Sequence, residues 1–262
     1  IKSFNFIMYY YMYLYFNKLY GLIGMPLGHS FSSQFFNDKF KRESFSGEYR
    51  NFQLEDIGEL MELIAEYDNL SGLNVTIPYK QQVIPYLDEI SDDVKAIGAV
   101  NVVKFIRDNG DLRLKGYNSD FIGFAESLNP LLVGNEKSAL VLGSGGASKA
   151  VAYALKKLGI DVVTVSRRKS DDAISYSDID DKVMADNQII VNTTPLGMYP
   201  KVDEYPDIPY GLITSSHICY DLTYNPEVTA FLRLSAENGA KIKNGHEMLI
   251  IQALKSWEIW NE

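Results

Sequence analysis

From Lys18 onward, short apolar runs alternate with stretches whose apolar positions recur every three or four residues. The runs read as strands and the periodic stretches as helices, because side chains alternate across a strand but return to one helix face at i+3 and i+4. The order begins with strand KLYGLIG, helix SSQFFNDKFKRES, strand GEYRNFQL and helix DIGELMELIAEY. Strand LSGLNVTIP follows, then helix KQQVIPYL with Pro78 at its start, then the apolar run AVNVVKFI. This predicts an α/β unit with mixed strands over roughly residues 18–117.

A second unit begins near Asn118 with the helical stretch SDFIGFAESLNPLL. The segment EKSALVLGSGGASKAVAYALKKLGIDVVTVSRR then reads strand, glycine-rich turn, helix, strand, the first half of a dinucleotide-binding βαβ. Further strands are predicted at QIIVNTT, HICYDL and GAKIKNG. The closing HEMLIIQALKSWEIW is apolar at helical spacing through Met248, Leu249, Ala253, Leu254 and Trp257, and such a helix needs a groove. Packed back on the first domain, it leaves a cleft between domains, the usual place for a ligand. The expected boundaries are 1–117, 118–240 and a C-terminal helical segment over 241–262. Residues 1–17 hold five tyrosines between Tyr9 and Tyr15 and read as an extension, with Met12 an alternative start. Their apolar stretch is shorter than a membrane span, so no membrane anchor is expected.

Composition narrows the chemistry. With 25 basic against 34 acidic residues the chain carries a net charge of -9, which argues against a nucleic-acid partner. Cys219 is the single cysteine and lies in an apolar run, so an intrachain disulfide is excluded, a reducing cytoplasm fits, and a buried inert thiol is expected. His29, His217 and His246 show no HExxH spacing, and no metal site is expected.

Two regions carry candidate chemistry. In the glycine-rich turn, Gly143 permits a tight bend and Gly145 lets a pyrophosphate approach the backbone, while Gly146, Ala147 and Ser148 open a helix whose N–H groups point at phosphate. The second strand ends in Ser166-Arg167-Arg168 rather than the acidic residue that holds an NAD ribose, and two guanidiniums suit a 2'-phosphate. A basic surface turn balanced by Asp171 and Asp172 explains the same residues without a ligand. In the first half, the clusters GHSFSS, NVTIPYK, AVNVV and GYNSD each end or begin an apolar element. Singly they read as helix caps and strand ends. Together they supply hydroxyls, amides, an amine and a carboxylate suited to a small polyhydroxylated substrate beside a nicotinamide. Lys80 stands out, because the first turn of the expected helix disfavours a cation.

Motif order then points to a family. G-x-P-x-x-H-S-x-S appears at Gly24–Ser32, N-V-T-x-P-x-K at Asn74–Lys80, G-A-x-N at Gly98–Asn101 and G-x-N-x-D at Gly116–Asp120. The G-x-G-G-x-x-x-A loop, N-x-T-x-x-G-M at Asn192–Met198, D-x-x-Y-x-P at Asp221–Pro226 and G-x-x-M-L-x-x-Q-A at Gly245–Ala253 follow in order. From Lys18 to the last helix the chain resembles the shikimate dehydrogenases. That resemblance implies a two-domain α/β fold: an N-terminal substrate-binding and catalytic domain with a mixed sheet, a Rossmann-type doubly wound NADP-binding domain, and a C-terminal helix returning to the first. It implies Lys80 and Asp120 as the catalytic pair in reversible reduction of 3-dehydroshikimate to shikimate by NADPH. By the same carry-over, Ser30 and Ser32, assisted by Tyr224, match the hydroxyls that hold the substrate carboxylate. Thr76, Asn101 and Gln252 match substrate contacts, and Asn74 supports the pocket. Gly143, Gly145, Gly146, Ala147, Ser148, Ser166, Arg167 and Arg168 fall in the cofactor phosphate region, and Thr193, Thr194, Met198 and Gly245 flank the ribose or nicotinamide. A monomer or homodimer is compatible. The chain departs from the family pattern at Ser33 and Phe36, where Pro and His are usual, at Ser119, where Thr is common, and at His246-Glu247, where small apolar residues are common. The rival readings are a quinate/shikimate dehydrogenase that also takes NAD, a methylenetetrahydrofolate dehydrogenase of similar plan, and a non-catalytic nucleotide sensor on the same scaffold.

Overall fold

A computed structural model of the chain describes residues 17–28 and 31–262. The tyrosine-rich stretch before Asn17, together with His29 and Ser30, lies outside the described residues. The chain divides into two compact units, Ile1–Asn118 with Ser256–Glu262, and Ser119–Lys255.

The first unit follows the predicted order: β1 (Lys18–Gly24), α1 (Phe31–Arg42), β2 (Gly47–Gln53), α2 (Leu60–Glu66) and β3 (Leu70–Val75). It continues through β4 (Glu89–Ile90), α3 (Asp92–Ile97), β5 (Val102–Asp108) and β6 (Asp111–Tyr117). The six strands lie in the order β2-β1-β3-β5-β6-β4. β1 pairs in parallel with β2 and β3, while β5 runs antiparallel to β3 and β6, so the sheet is mixed as expected. The hairpin partner β6 escaped the periodicity reading, although Asn109 and Gly110 between β5 and β6 both take positive φ, the backbone that a two-residue hairpin turn requires. One sheet face buries Leu19, Ile23, Leu73, Val75 and Val103 against Leu60, Leu63 and Ile64 of α2. On the other, Tyr20 sits among Phe40, Phe45, Trp257 and Trp260, with ring centroids 4.8–6.3 Å from its own.

The helix expected over KQQVIPYL does not form. Residues 77–83 are turns, and only Ile84–Tyr86 makes a short 3-10 helix. Pro78 and Pro85 bracket too short a segment: each lacks an N–H, and the Pro85 ring excludes the α-helical carbonyl four residues earlier. Lys80 therefore occupies a turn rather than the first turn of a helix.

The second unit holds α4 (Asp120–Leu128), β7 (Ser138–Leu142), α5 (Gly146–Lys157), β8 (Asp161–Ser166), β9 (Ile174–Ser175) and α6 (Asp181–Asp186). After these come β10 (Ile189–Asn192), β11 (Ile218–Asp221), α7 (Ala230–Glu237), β12 (Lys241–Lys243) and α8 (His246–Asn261), the last of which ends in the first unit. Its sheet, β12-β11-β10-β7-β8-β9, is parallel throughout. Both faces are buried, which is why its strands read as continuous apolar runs. Ala139, Val141, Ile189 and Val191 meet α4 and α5, while Leu140, Leu142, Ile190 and Cys219 pack on the opposite side with Phe231 and Leu232. Burial pushes the Cys219 thiol up to about 12, so it is an inert core side chain. His217 is likewise structural, bonded through its two ring nitrogens to Thr214 and to the Met184 carbonyl. Among the described residues no helix is long and apolar enough to cross a membrane.

The aromatic cluster contains one cost. Tyr20 is 0% exposed, and among the described residues its hydroxyl has no hydrogen-bond partner. Burial alone holds its phenol above the usual range. Tyr20→Phe removes that unsatisfied group and is expected to stabilise the protein by about 1 kcal/mol, roughly 2–4 °C in Tm. A lowered Tm on thermal unfolding would show that the hydroxyl finds a partner in solution.

Candidate active site

Parallel strands stop together, and in the first unit they stop at a polar edge. Ile23 of β1 lies beside Val75 of β3, Asn74 of β3 beside Val102 of β5, and Val102 beside Tyr117 of β6. The ends of β1, β3 and β6 and the start of β5 therefore share one edge, which gathers the segments containing Ser32, Asn74, Thr76, Lys80 and Asn101. Asn74 is 6% exposed, and its amide is committed within the protein: Nδ2 donates to the Asn101 carbonyl at 3.2 Å and to Ser256 Oγ at 2.9 Å. Its Oδ1 accepts from the Tyr49 hydroxyl at 2.9 Å. Asn74 thus supports the edge from beneath. Thr76 follows, half-buried, its N–H held by the Ile23 carbonyl at 2.9 Å, and its hydroxyl makes no hydrogen bond among the described residues. The Lys80 turn is pinned by its own carbonyl, which accepts from Val100 N at 2.7 Å, and the Asn101 carbonyl accepts from Val75 N at 2.9 Å. Ser32 lies half-buried in the first turn of α1. Ser30 lies outside the described residues.

In the second unit Asp120 is buried as the first residue of α4, where exposed N–H groups favour a carboxylate. Beside it, Ser119 donates from Oγ to Gln252 Oε1 at 3.4 Å, and Gln252 Nε2 donates to the Leu249 carbonyl at 3.0 Å. The glycine turn follows β7, which neighbours β10, the point where strand order reverses and ligands of such sheets bind. Gly143 has φ +121°, and a Cβ there would lie 2.5 Å from Thr193 Oγ1. Ser148 is buried and donates to the Gly143 carbonyl at 2.6 Å, so it braces the turn from within. Ser144 and Gly145 are exposed, and a Cβ on Gly145 would meet nothing within 4 Å, which leaves the α5 N-terminus open to a phosphate. Gly146 and Ala147 form its first turn.

At the end of β8 the Ser166 hydroxyl bonds the Arg168 carbonyl, and both guanidiniums are exposed. Among the described residues neither is paired with Asp171 or Asp172; the ion pair nearby joins Lys169 to Asp178 at 3.3 Å. Open backbone N–H groups, a bare glycine and two unpaired guanidiniums fit a dinucleotide carrying an additional phosphate.

Two loops complete this side. Thr193 Oγ1 donates to the Leu142 carbonyl at 2.6 Å and Thr194 Oγ1 to Asn192 Oδ1 at 2.6 Å, so both hydroxyls shape the loop that carries exposed Met198. Asn192 in turn donates to Asp221 Oδ1 at 3.1 Å, and Asp221 also accepts from Thr223 N at 2.9 Å and Thr229 Oγ1 at 2.6 Å. Burial pushes the Asp221 carboxyl up, against the pull of these three donors. Tyr224, on the β11 loop, is partly exposed, and partial burial raises its phenol. Motif reading found the Asn192 and Asp221 stretches without assigning these two residues a role. The available signal was a polar residue closing a buried strand. Tyr49 and Ser256 carried no such signal, since a lone tyrosine in a strand and a serine in a helix look ordinary.

The two units define an α/β protein with a strand-end polar site in one and a dinucleotide-type turn in the other. Residues 22–103 match the model of the shikimate dehydrogenase substrate binding domain. The chain is 41% identical over 255 residues to the shikimate dehydrogenase (NADP(+)) of Clostridium beijerinckii, covering 94% of this chain and 92% of the relative. A crystal structure of shikimate dehydrogenase from Aquifex aeolicus superposes with TM-score 0.82 at 37% identity, covering 94% and 92% of the two chains. The Thermus thermophilus shikimate 5-dehydrogenase in complex with NADP(H) and shikimate gives TM-score 0.81 at 28% identity, covering 93% of each. The chain belongs to the shikimate dehydrogenase family.

Gly245, just before α8, packs where no side chain fits: a Cβ would lie 2.0 Å from the Leu222 carbonyl oxygen. Gly245→Ala is expected to cost roughly 1–3 kcal/mol through this overlap. A urea unfolding midpoint equal to the parent's would show that the β11 loop yields freely.

Proposed function

We propose that the chain catalyses the reversible reduction of 3-dehydroshikimate to shikimate by NADPH, with Lys80 and Asp120 as the catalytic pair. One observation carries the reading: Thr76, Asn101 and the Lys80 turn gather at one sheet edge of a chain whose relatives catalyse this reaction. NADPH, when bound, supplies the hydride that goes to the ketone carbon. As that bond forms, negative charge develops on the ketone oxygen, and the Lys80 ammonium stabilises it and delivers the proton that makes the hydroxyl. In the reverse direction the neutral amine takes that proton back.

Ser30 and Ser32, with Tyr224, hold the substrate carboxylate, and Thr76, Asn101 and Gln252 engage its hydroxyls. The Gly143–Gly145 turn and the α5 N-terminus bind the pyrophosphate, Arg167 and Arg168 the 2'-phosphate, and Thr193, Thr194, Met198 and Gly245 flank the ribose and nicotinamide. The enzyme acts in the cytoplasm as a monomer or homodimer, and its partners are small molecules. A quinate/shikimate dehydrogenase using NAD is the second reading; Arg167 and Arg168, which form no ion pair among the described residues, favour NADP over it. Assaying shikimate and quinate against NADP and NAD separates the two, and no turnover of shikimate with either cofactor would defeat the proposal.

Arg167→Ala is expected to lower kcat/KM with NADP roughly 10- to 100-fold and to leave NAD almost unaffected, because only NADP offers the 2'-phosphate. Equal losses with both cofactors would make Arg167 structural. Lys80→Met keeps the stem but removes the ammonium, and kcat should fall by a factor of roughly 10²–10⁴ with KM for shikimate changed much less. A Lys80→Met enzyme with a lowered Tm but nearly intact kcat would reduce the lysine to an ion-pair partner.

A further inference from the structure

Tyr49 is held on every side by contacts that an ordinary core tyrosine does not need. Among the described residues β2 is the edge strand of the first sheet, so one side of its backbone has no strand partner there. At Tyr49 that side is met by Asn37: Tyr49 N donates to Asn37 Oδ1 at 3.0 Å, and Asn37 Nδ2 donates to the Tyr49 carbonyl at 2.9 Å. Asn37 is itself anchored through Nδ2 to the Ser33 carbonyl at 2.8 Å. The phenol ring stacks on Phe36 with centroids 4.8 Å apart and planes 15° off parallel. With backbone and ring both fixed, the hydroxyl of this 2%-exposed residue can point only inward. There it donates to Asn74 Oδ1 at 2.9 Å. From the opposite side Ser256, itself 0% exposed, accepts from Asn74 Nδ2 at 2.9 Å.

We infer that Tyr49, with Ser256 as its counterpart, is a positioning residue that orients Asn74, and through it the residue 101 backbone, at the substrate-binding edge without touching substrate. The inference rests on the reading of that edge as the shikimate site. The physical reason is a count of donors and acceptors. A tyrosine hydroxyl has one proton, and here it goes to Asn74 Oδ1, which fixes the amide oxygen toward β2. The amide of Asn74 has two protons, both given to Ser256 and the Asn101 carbonyl, so its flip state is set and the residue 101 backbone is held beside β3. Removing the phenol oxygen leaves Asn74 Oδ1 buried without its donor and loosens the amide that holds the residue 101 backbone.

Tyr49→Phe tests this, because it deletes one atom and keeps the stacked ring. Shikimate KM, and its Kd by calorimetry, are expected to rise roughly tenfold, with kcat at saturating shikimate and KM for NADP each within about twofold of the parent. A residue needed only for stability would lower Tm and leave that split absent. If Tyr49→Phe loses its native near-UV dichroism, Ser256→Ala replaces it, with the same split expected from the other side of Asn74. A parent that fails to bind shikimate overturns the site reading and this inference with it. A parent that binds, together with a folded variant whose shikimate Kd stays within about twofold, overturns the inference alone.

Discussion

A polar side chain at the end of a buried strand must find all its partners inside the protein, and Asn74 is where the first unit meets that demand. An unsatisfied buried amide costs about 1–3 kcal/mol per lost bond. Asn74 avoids the cost by drawing in β2 through Tyr49, the start of β5 through the Asn101 carbonyl, and the last helix through Ser256. Three elements far apart in the sequence are thereby fixed around the end of β3. Thr76 and the Lys80 turn leave β3 immediately beyond, so their geometry is inherited from that anchor.

The second unit solves the same problem with a charge. Asp221 closes β11 at 0% exposure and satisfies its carboxylate with Asn192, Thr223 and Thr229. Asn192 closes the neighbouring strand and uses its own oxygen to bend the next loop at Thr194. The loops after β10 and β11 therefore stand on one hydrogen-bonded base, beside the turn that follows β7. Burial disfavours the ionised carboxylate, and the three donors oppose that penalty, so loop positions and the charge of Asp221 depend on one another.

The departures from the family pattern are absorbed locally. Phe36, where histidine is usual, gives Tyr49 its stacking partner, while Asn37 bonds the outer side of β2 at Tyr49. His246 and Glu247 are both exposed at the start of α8; Glu247 pairs with Lys243 and suits the positive end of the helix.

Much of this was written in local pattern. Strand β1 and the β7–α5–β8 segment follow from apolar runs broken by glycine, because short-range periodicity reports which face of an element is buried. Motif order likewise pointed to the family and to the residues at the strand ends. What local pattern misjudged was local competition and distance. Two prolines defeated the KQQVIPYL helix although its apolar spacing suited one, and β6 became a strand by pairing with β5 despite a weak apolar run of its own. The partners of Asn74 belong to tertiary structure alone: Tyr49 precedes it by 25 residues and Ser256 follows it by 182. Periodicity carries no information at such separations, since a hydrogen bond between distant side chains exists only after the sheet and the last helix have packed. Local pattern laid down most of the elements and the chemistry they carry; packing set which side chains hold that chemistry in place.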